Sequence, residues 1–202
     1  LFQIVGVSKV PTFGEALEVA KSVANLVNIR PAFLLAIISQ ESAIGRNVGQ
    51  CMLTDSNTGA GKKVSTGAAI IRVMKPTRDV QPFIQITTAL GKDPYNTPVS
   101  CWIPAYVGGV PAGWGGAMGP AQFIASTWMM FTNRVASALG FTGMANPWNP
   151  RDAFMASAPP RMPSLPTTIR IQGPTIPCIS PGEWKFSISS EMSAYAMESP
   201  LC

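Results

Sequence analysis

Histidine is absent from all 202 residues of the chain. Its absence removes Ser-His and Cys-His nucleophiles, imidazole metal sites and a histidine proton shuttle. Proton chemistry therefore falls to ten carboxylates, together with hydroxyls and backbone groups. Glu15 and Glu18 fall in the first turns of a surface helix, and Asp55, Asp79, Asp93 and Asp152 fall in turns or helix caps. Glu183, Glu191 and Glu198 belong to the C-terminal tail. Glu41 alone follows a fully apolar run, Ala32 to Ile38. If helix continues through it, Ile37 and Ile38 stand one turn behind. A carboxylate against such a surface loses hydration, which disfavours its charged form and raises its pKa. That is the condition of a carboxylic acid able to donate a proton near neutral pH. The alternative is a buried glutamate held by backbone groups or an arginine.

Two other motifs carry less chemistry. Gly59-Ala60-Gly61-Lys62-Lys63 has the look of a phosphate loop, but Ser56 stands in place of the first glycine and Lys63 in place of Ser or Thr, so a flexible loop is expected. The cysteines Cys51, Cys101, Cys178 and Cys202 form no C-x-x-C pair, which argues against structural zinc, and no metal or cofactor is expected. In an exported protein Cys51 and Cys101 would pair, both lying in loop-like contexts; the alternative is free thiols in a reducing compartment.

The elements that must position Glu41 are helical. Thr12 and Glu15 form a capping box before Ala16, Val19, Ala20, Val23, Leu26 and Val27 at helical spacing. Pro31 suits the first position of a second helix, apolar on every side and hence buried, which ends through Ser39 to Ser42 before Gly45. Residues 47–67 read as loop, 66–74 and 78–90 as helices, and 99–116 as a glycine- and aromatic-rich loop. Helical pattern returns at Pro120–Phe123 and from Ser126, a cap, to Leu139 before Gly140. Asn149-Pro150-Arg151-Asp152 has the cap, first-turn proline and acidic residue of a last helix, cut by Pro159-Pro160. Alternating strand pattern is confined to the tail and the first ten residues.

Charge and proline divide the chain near residue 158. Residues 1–158 hold twelve Lys/Arg against seven Asp/Glu and so carry the whole net charge of +5, whereas 159–202 are neutral and hold eight of the nineteen prolines. The charge suits an acidic polymer or anionic surface but is too weak to point to nucleic acid. No apolar run is long enough to span a bilayer. The chain begins at Leu1, carries no signal peptide, and is read as a piece of a longer product.

Ala36-Ile37-Ile38-Ser39-Gln40-Glu41-Ser42 followed by Gly45, then Gly116-Ala117-Met118-Gly119-Pro120-Ala121-Gln122-Phe123-Ile124 with Ser126-Thr127-Trp128, resemble bacterial lytic transglycosylases, lysozyme-like enzymes that cleave peptidoglycan. The first segment is similar to their catalytic Glu-Ser motif at a helix end, the second to the Gly-Ala-Met-Gly-x-x-Gln-Phe signature of the membrane-bound type B branch, related to the soluble lytic transglycosylases. Asn149 to Ala153 resembles their Asp-Pro-x-Asp-Ala helix start, with Asn149 in place of the usual acid. The likeness covers about residues 12–158.

The resemblance implies a mainly α, lysozyme-like domain over 12–158, after a lead-in of 1–11 and before a Pro-rich irregular tail, 159–202, in which only Trp184 to Ile188 is strand-like. It implies an exported enzyme in the cell envelope or outside the cell, with peptidoglycan strands as partner. Glu41 would protonate the oxygen between N-acetylmuramic acid and N-acetylglucosamine, then take the proton of the muramic C6 hydroxyl and close a 1,6-anhydro ring. Gly116 and Gly119 would let backbone approach a sugar. Ala117 and Met118 would lie against the glycan, Gln122 would hydrogen-bond it near Glu41, Ser42 would bind the glutamate or the acetamido group, and Phe123 would line the site. For Met118 and Phe123 the alternative is core packing. Trp102, Tyr106 and Trp114 are candidates for stacking on sugar rings, with plain packing as the alternative. Other roles for the chain are a non-catalytic peptidoglycan-binding module and a hydrolysing lysozyme. The chain departs from the family at Pro159-Pro160, where the last helix normally continues into a segment with a cleft-lining tyrosine or asparagine.

Overall fold

A computed structural model describes residues 12–159; the expected lead-in, 1–11, and the Pro-rich tail beyond Pro159 lie outside these residues. The fold is mainly α. Helix α1 (Phe13–Val27) starts at the expected capping box: Glu15 N donates to Thr12 Oγ1 at 3.2 Å and Thr12 N to Glu15 Oε2 at 2.7 Å. It buries Ala16, Ala20, Val23 and Ala24. Helix α2 (Pro31–Ser42) begins with its proline at the first position and buries Leu34, Ile38 and Ser42. The expectation that it is buried on every side is corrected: Phe33 is about half exposed, so one face alone meets the core.

A three-stranded antiparallel sheet follows, β1 (Cys51–Leu53), β2 (Gly61–Lys63) and β3 (Ala69–Ile70), in that order, with Cys51 opposite Lys63 and Gly61 opposite Ile70. The phosphate-loop lookalike, expected as a flexible loop, is the end of the β1–β2 turn and β2 itself, paired to β1. Its glycines are needed for packing: a Cβ on Gly59 would sit 1.8 Å from Met74 O, and one on Gly61 1.9 Å from Met52 O. The helix expected over 66–74 is absent. Lys63 N donates to Ala68 O and Ala69–Ile70 join the sheet, a ladder a short, capless helix cannot match.

The helix expected over 78–90 is present as a π-helical turn, Pro76–Val80, leading into α3 (Gln81–Ala89). The segment 99–116, expected as loop, contains a hairpin, β4 (Ala105–Val107) and β5 (Val110–Ala112), around Gly108 and Gly109, both at left-handed φ as such a turn requires. A second hairpin, β6 (Ala117–Met118) and β7 (Phe123–Ile124), replaces the helical turn expected at Pro120–Phe123, because Gly119 and Gln122 take φ of 61° and 52°. The seven strands among the described residues have two or three residues each, too short to show a period of two.

Helix α4 (Ala125–Leu139) ends at Gly140, and α5 (Pro150–Ser157) begins at Asn149, whose Oδ1 accepts from Arg151 N. The N-cap of α4 is Ile124 rather than Ser126. Before Pro159, Ala158 is extended (ψ 139°), as the residue preceding a proline must be, and α5 stops. The core gathers Leu34, Ile38, Phe83, Met118, Trp128 and Phe154, fully buried. Cys51 and Cys101 are disulfide-bonded, tying β1 to the segment before the β4–β5 hairpin. Among the described residues no helix is long and apolar enough to cross a membrane.

Candidate active site

Glu41 occupies the last turn of α2. Ile38, one turn back, is buried in the core, while Glu41 itself is exposed. The expectation that apolar surface strips its hydration is therefore corrected: Ile38 faces inward and the carboxylate faces out. The chain then reverses through three successive left-handed residues, Ala43 (φ 50°), Ile44 (59°) and Gly45 (77°). A β-branched residue here costs on the order of 1–3 kcal/mol. The turn is held by Ser42, whose Oγ donates to Ile38 O and accepts from Gly45 N at 2.8 Å, and by Ile44 N on Ile38 O. Ser42 is buried and its hydroxyl is used in this cap, which corrects its expected role toward glutamate or substrate.

The second motif is anchored from behind by Ser100. Gly116 N donates to Ser100 O, Ser100 N to Ala117 O, and Ala117 N to Ser100 Oγ. Gly116 and Gly119 are buried, and their conformations serve packing rather than approach to a sugar. A Cβ on Gly119 would lie 1.8 Å from Pro147 O, and one on Gly116 3.1 Å from Val73 O. Met118 has no exposed surface and belongs to the core, the second of its two expected roles. From this hairpin Ala121, Gln122 and Phe123 line a cavity. Gln122 is pinned in its left-handed turn by Nε2 donating to Gly119 O at 2.7 Å. Phe123 packs its ring 5.3 Å from Phe131 and 5.8 Å from Trp128.

Glu41 and Gln122 both line each of two cavities. One, about 460 Å³, is lined by both together with Ile37, Phe123, Phe131 and Arg134. The other, about 350 Å³, is lined by both with Asn47, Gln50, Ser100 and Ile103. Glu41 is the one carboxylate among the described residues that lines either. Ser42, Gly116, Ala117, Met118 and Gly119 line neither. The expected aromatic platform is otherwise engaged. Arg72 stacks over Trp114 at 4.2 Å and lies 5.9 Å from the Trp102 centroid, while Trp102 Nε1 donates to Ala112 O. Tyr106 is exposed but meets Trp102 edge-on, away from the lining of both cavities.

Arg134 is a cavity residue that spacing did not single out. Its Nη2 donates to Ala156 O at 2.8 Å and Ala158 O at 3.0 Å, closing the C-terminal end of α5. Its guanidinium lies 4.9 Å over the Phe131 ring. The available signal was that it is the single charged residue of α4. Asp79, expected in a turn or cap, is fully buried: Oδ2 accepts from Arg78 Nε and Nη2, and Oδ1 from the hydroxyl of Ser126 at 2.7 Å. It thus serves the first turn of α4 from 47 residues away. Among the described residues no group of three His, Cys, Asp or Glu could hold a metal ion.

Family models and curated proteins give no match to the chain. Among solved structures it is similar to a 36 kDa muramidase/transglycosylase and to the Escherichia coli lytic transglycosylase Slt35 in complex with calcium. Each is 18% identical with a TM-score of 0.45, over 72% of this chain and 40% and 39% of theirs. The chain spans about two fifths of their length.

Proposed function

We propose that residues 12–158 form a lysozyme-like lytic transglycosylase domain that cleaves the bond between N-acetylmuramic acid and N-acetylglucosamine in peptidoglycan. The observation that carries this reading is the lone carboxylate, Glu41, which with Gln122 lines both cavities. Glycosidases that hydrolyse by the common routes need two carboxyl groups, roughly 5–5.5 Å apart for retention and 6.5–9.5 Å for inversion. Neither cavity offers a second among the described residues, which favours a reaction in which the substrate supplies the other group.

Glu41 gives its proton to the bridging oxygen as the C1–O bond breaks, and the acetamido group of the muramic ring supports the charge left at C1. The Glu41 carboxylate then takes the proton of the C6 hydroxyl while O6 bonds to C1. The products are a free N-acetylglucosamine hydroxyl and a 1,6-anhydro-muramic end, with no water consumed. Gln122, with its Nε2 held on Gly119 O, presents its amide oxygen as an acceptor for a sugar hydroxyl or amide. The Cys51–Cys101 disulfide suits an exported protein, since such bonds persist in oxidising compartments.

Digestion of purified peptidoglycan with mass spectrometry of the released muropeptides tests the reading. Anhydro ends are expected; reducing muramic ends would replace it with a hydrolysing lysozyme. Sedimentation with the wall and no released fragments would make the domain a binding module. Glu41→Gln should abolish release without lowering the unfolding midpoint, because the side chain is exposed and makes no core contact.

A further inference from the structure

Arg134 is the one cation among the described residues lining the cavity beside Glu41. Its hydrogen bonds all run from Nη2 to backbone carbonyls at the end of α5, which carry partial charge but no formal one. Its Nε is buried without a hydrogen-bond partner. Among the described residues no carboxylate forms an ion pair with it, and Glu41 lines the same cavity without reaching it. Burial lowers its pKa from the ordinary value, with no opposing charge to restore it. A partly desolvated guanidinium, spread over an aromatic face and without an ion-pair partner among the described residues, is arranged for an anionic group brought by a ligand.

We propose that Arg134 makes this cavity a site for a carboxylate carried by the glycan. The carboxylate is either the free lactyl group of a muramic residue stripped of peptide or a carboxylate of an attached stem peptide. The inference rests on the glycan-cleaving reading above. A carboxylate matches the site because Nη1, which makes none of the hydrogen bonds to the end of α5, keeps its N–H donors for a charged acceptor, whereas the remaining walls, Ile37, Phe123 and Phe131, offer apolar contact to a sugar or methyl group. A lactyl group would place its acid on the same ring whose C1–O bond Glu41 attacks, so the anchor would hold that ring in register.

The test uses the full chain carrying Glu41→Gln, so that binding is read without turnover. Four tetrasaccharides are titrated by calorimetry: peptidoglycan glycan with free lactyl carboxylates, the same with lactyl methyl amides, the peptide-substituted form, and chitotetraose. The carboxylate that Arg134 reads should bind about tenfold tighter than the methyl amide and chitotetraose, and that preference should vanish in Arg134→Gln while chitotetraose affinity stays the same. The free-lactyl and peptide arms decide the source. Because Arg134 also ties down α5, the ¹H–¹⁵N resonance of its Nε is followed in protein that keeps the arginine; it should move with the carboxylate ligand and stay still with the amide. Equal binding of all four glycans, or a still Nε resonance, would overturn the role of Arg134 and leave the glycan cleft standing. Failure of every glycan, chitotetraose included, would remove the underlying reading and this inference with it.

Discussion

Asp79→Ala should destabilise the domain by about 2–4 kcal/mol, a magnitude set by what the carboxylate holds. Its Oδ1 accepts the hydroxyl of Ser126 at 2.7 Å in the first turn of α4, and loss of such a cap costs about 0.5–2 kcal/mol. Its Oδ2 accepts two hydrogen bonds from Arg78, at 2.9 and 2.7 Å. Breaking a fully buried pair would cost about 3–5 kcal/mol, but the Arg78 side chain is 45% exposed and returns to water when its partner is removed, so this part shrinks to about 1 kcal/mol. The remainder is the stranded Ser126 hydroxyl and the small void left in a fully closed site. For a domain of this size the sum corresponds to a melting point lower by roughly 5–15 °C. Thermal unfolding followed by far-UV circular dichroism reads it, with Asp79→Asn falling between the two because its amide oxygen still accepts from Ser126. A double-mutant cycle with Ser126→Ala should show coupling of about 1–2 kcal/mol. A midpoint within about 2 °C of the parent, or strictly additive effects, would refute the assignment of Asp79 as the long-range anchor of α4.

Gly119→Ala should cost about 3 kcal/mol or more, because the new methyl meets Pro147 O at 1.8 Å on a left-handed backbone; Gly108→Ala, also left-handed but in open space, should cost about 1 kcal/mol, and denaturant titration separates the two. Reduction of the Cys51–Cys101 bond, separation 50, should remove about 4 kcal/mol by chain-entropy arithmetic, seen as a midpoint shift that reverses on reoxidation. Asp152 gives a pH effect of opposite sign to that of an ordinary paired carboxylate. Burial, the largest influence, raises its pKa from 3.8 against the lowering effects of the Asn146 N–H and Arg151. Its folded form therefore binds a proton more tightly than the unfolded form, so its contribution to stability is full below about pH 3.8 and declines as pH rises through the folded value. Asp152→Asn should gain stability relative to the parent between about pH 4 and 7, measured by urea unfolding at each pH; a constant difference would sink the explanation.

Features settled between neighbours in the chain are legible in the sequence. The Thr12–Glu15 capping box, Pro31 at the head of α2, Gly140 closing α4 and Asn149-Pro150 opening α5 each rest on hydrogen bonds or dihedral limits within about one helical turn. The short hairpins were not legible, since two- and three-residue strands show no alternation and their pairing depends on Ser100 reaching Ala117 across 17 residues. Gly119 carries the mark of a special backbone in its residue type, but that its tight partner is Pro147 O rather than a sugar is a matter of packing.

By itself the sequence determined which chemistry was open to the protein. With no histidine and ten carboxylates, it left Glu41, behind its apolar helix, as the residue with a plausible setting for acid catalysis. Only the tertiary structure decided which side of α2 that carboxylate faces, that Met118 is core while Gln122 and Phe123 line a cavity, and that Arg134 lines that cavity without an ion-pair partner among the described residues. Burial and charge compensation are sums over neighbours from the whole chain. Residue spacing carries only the part of those sums that one helix can supply.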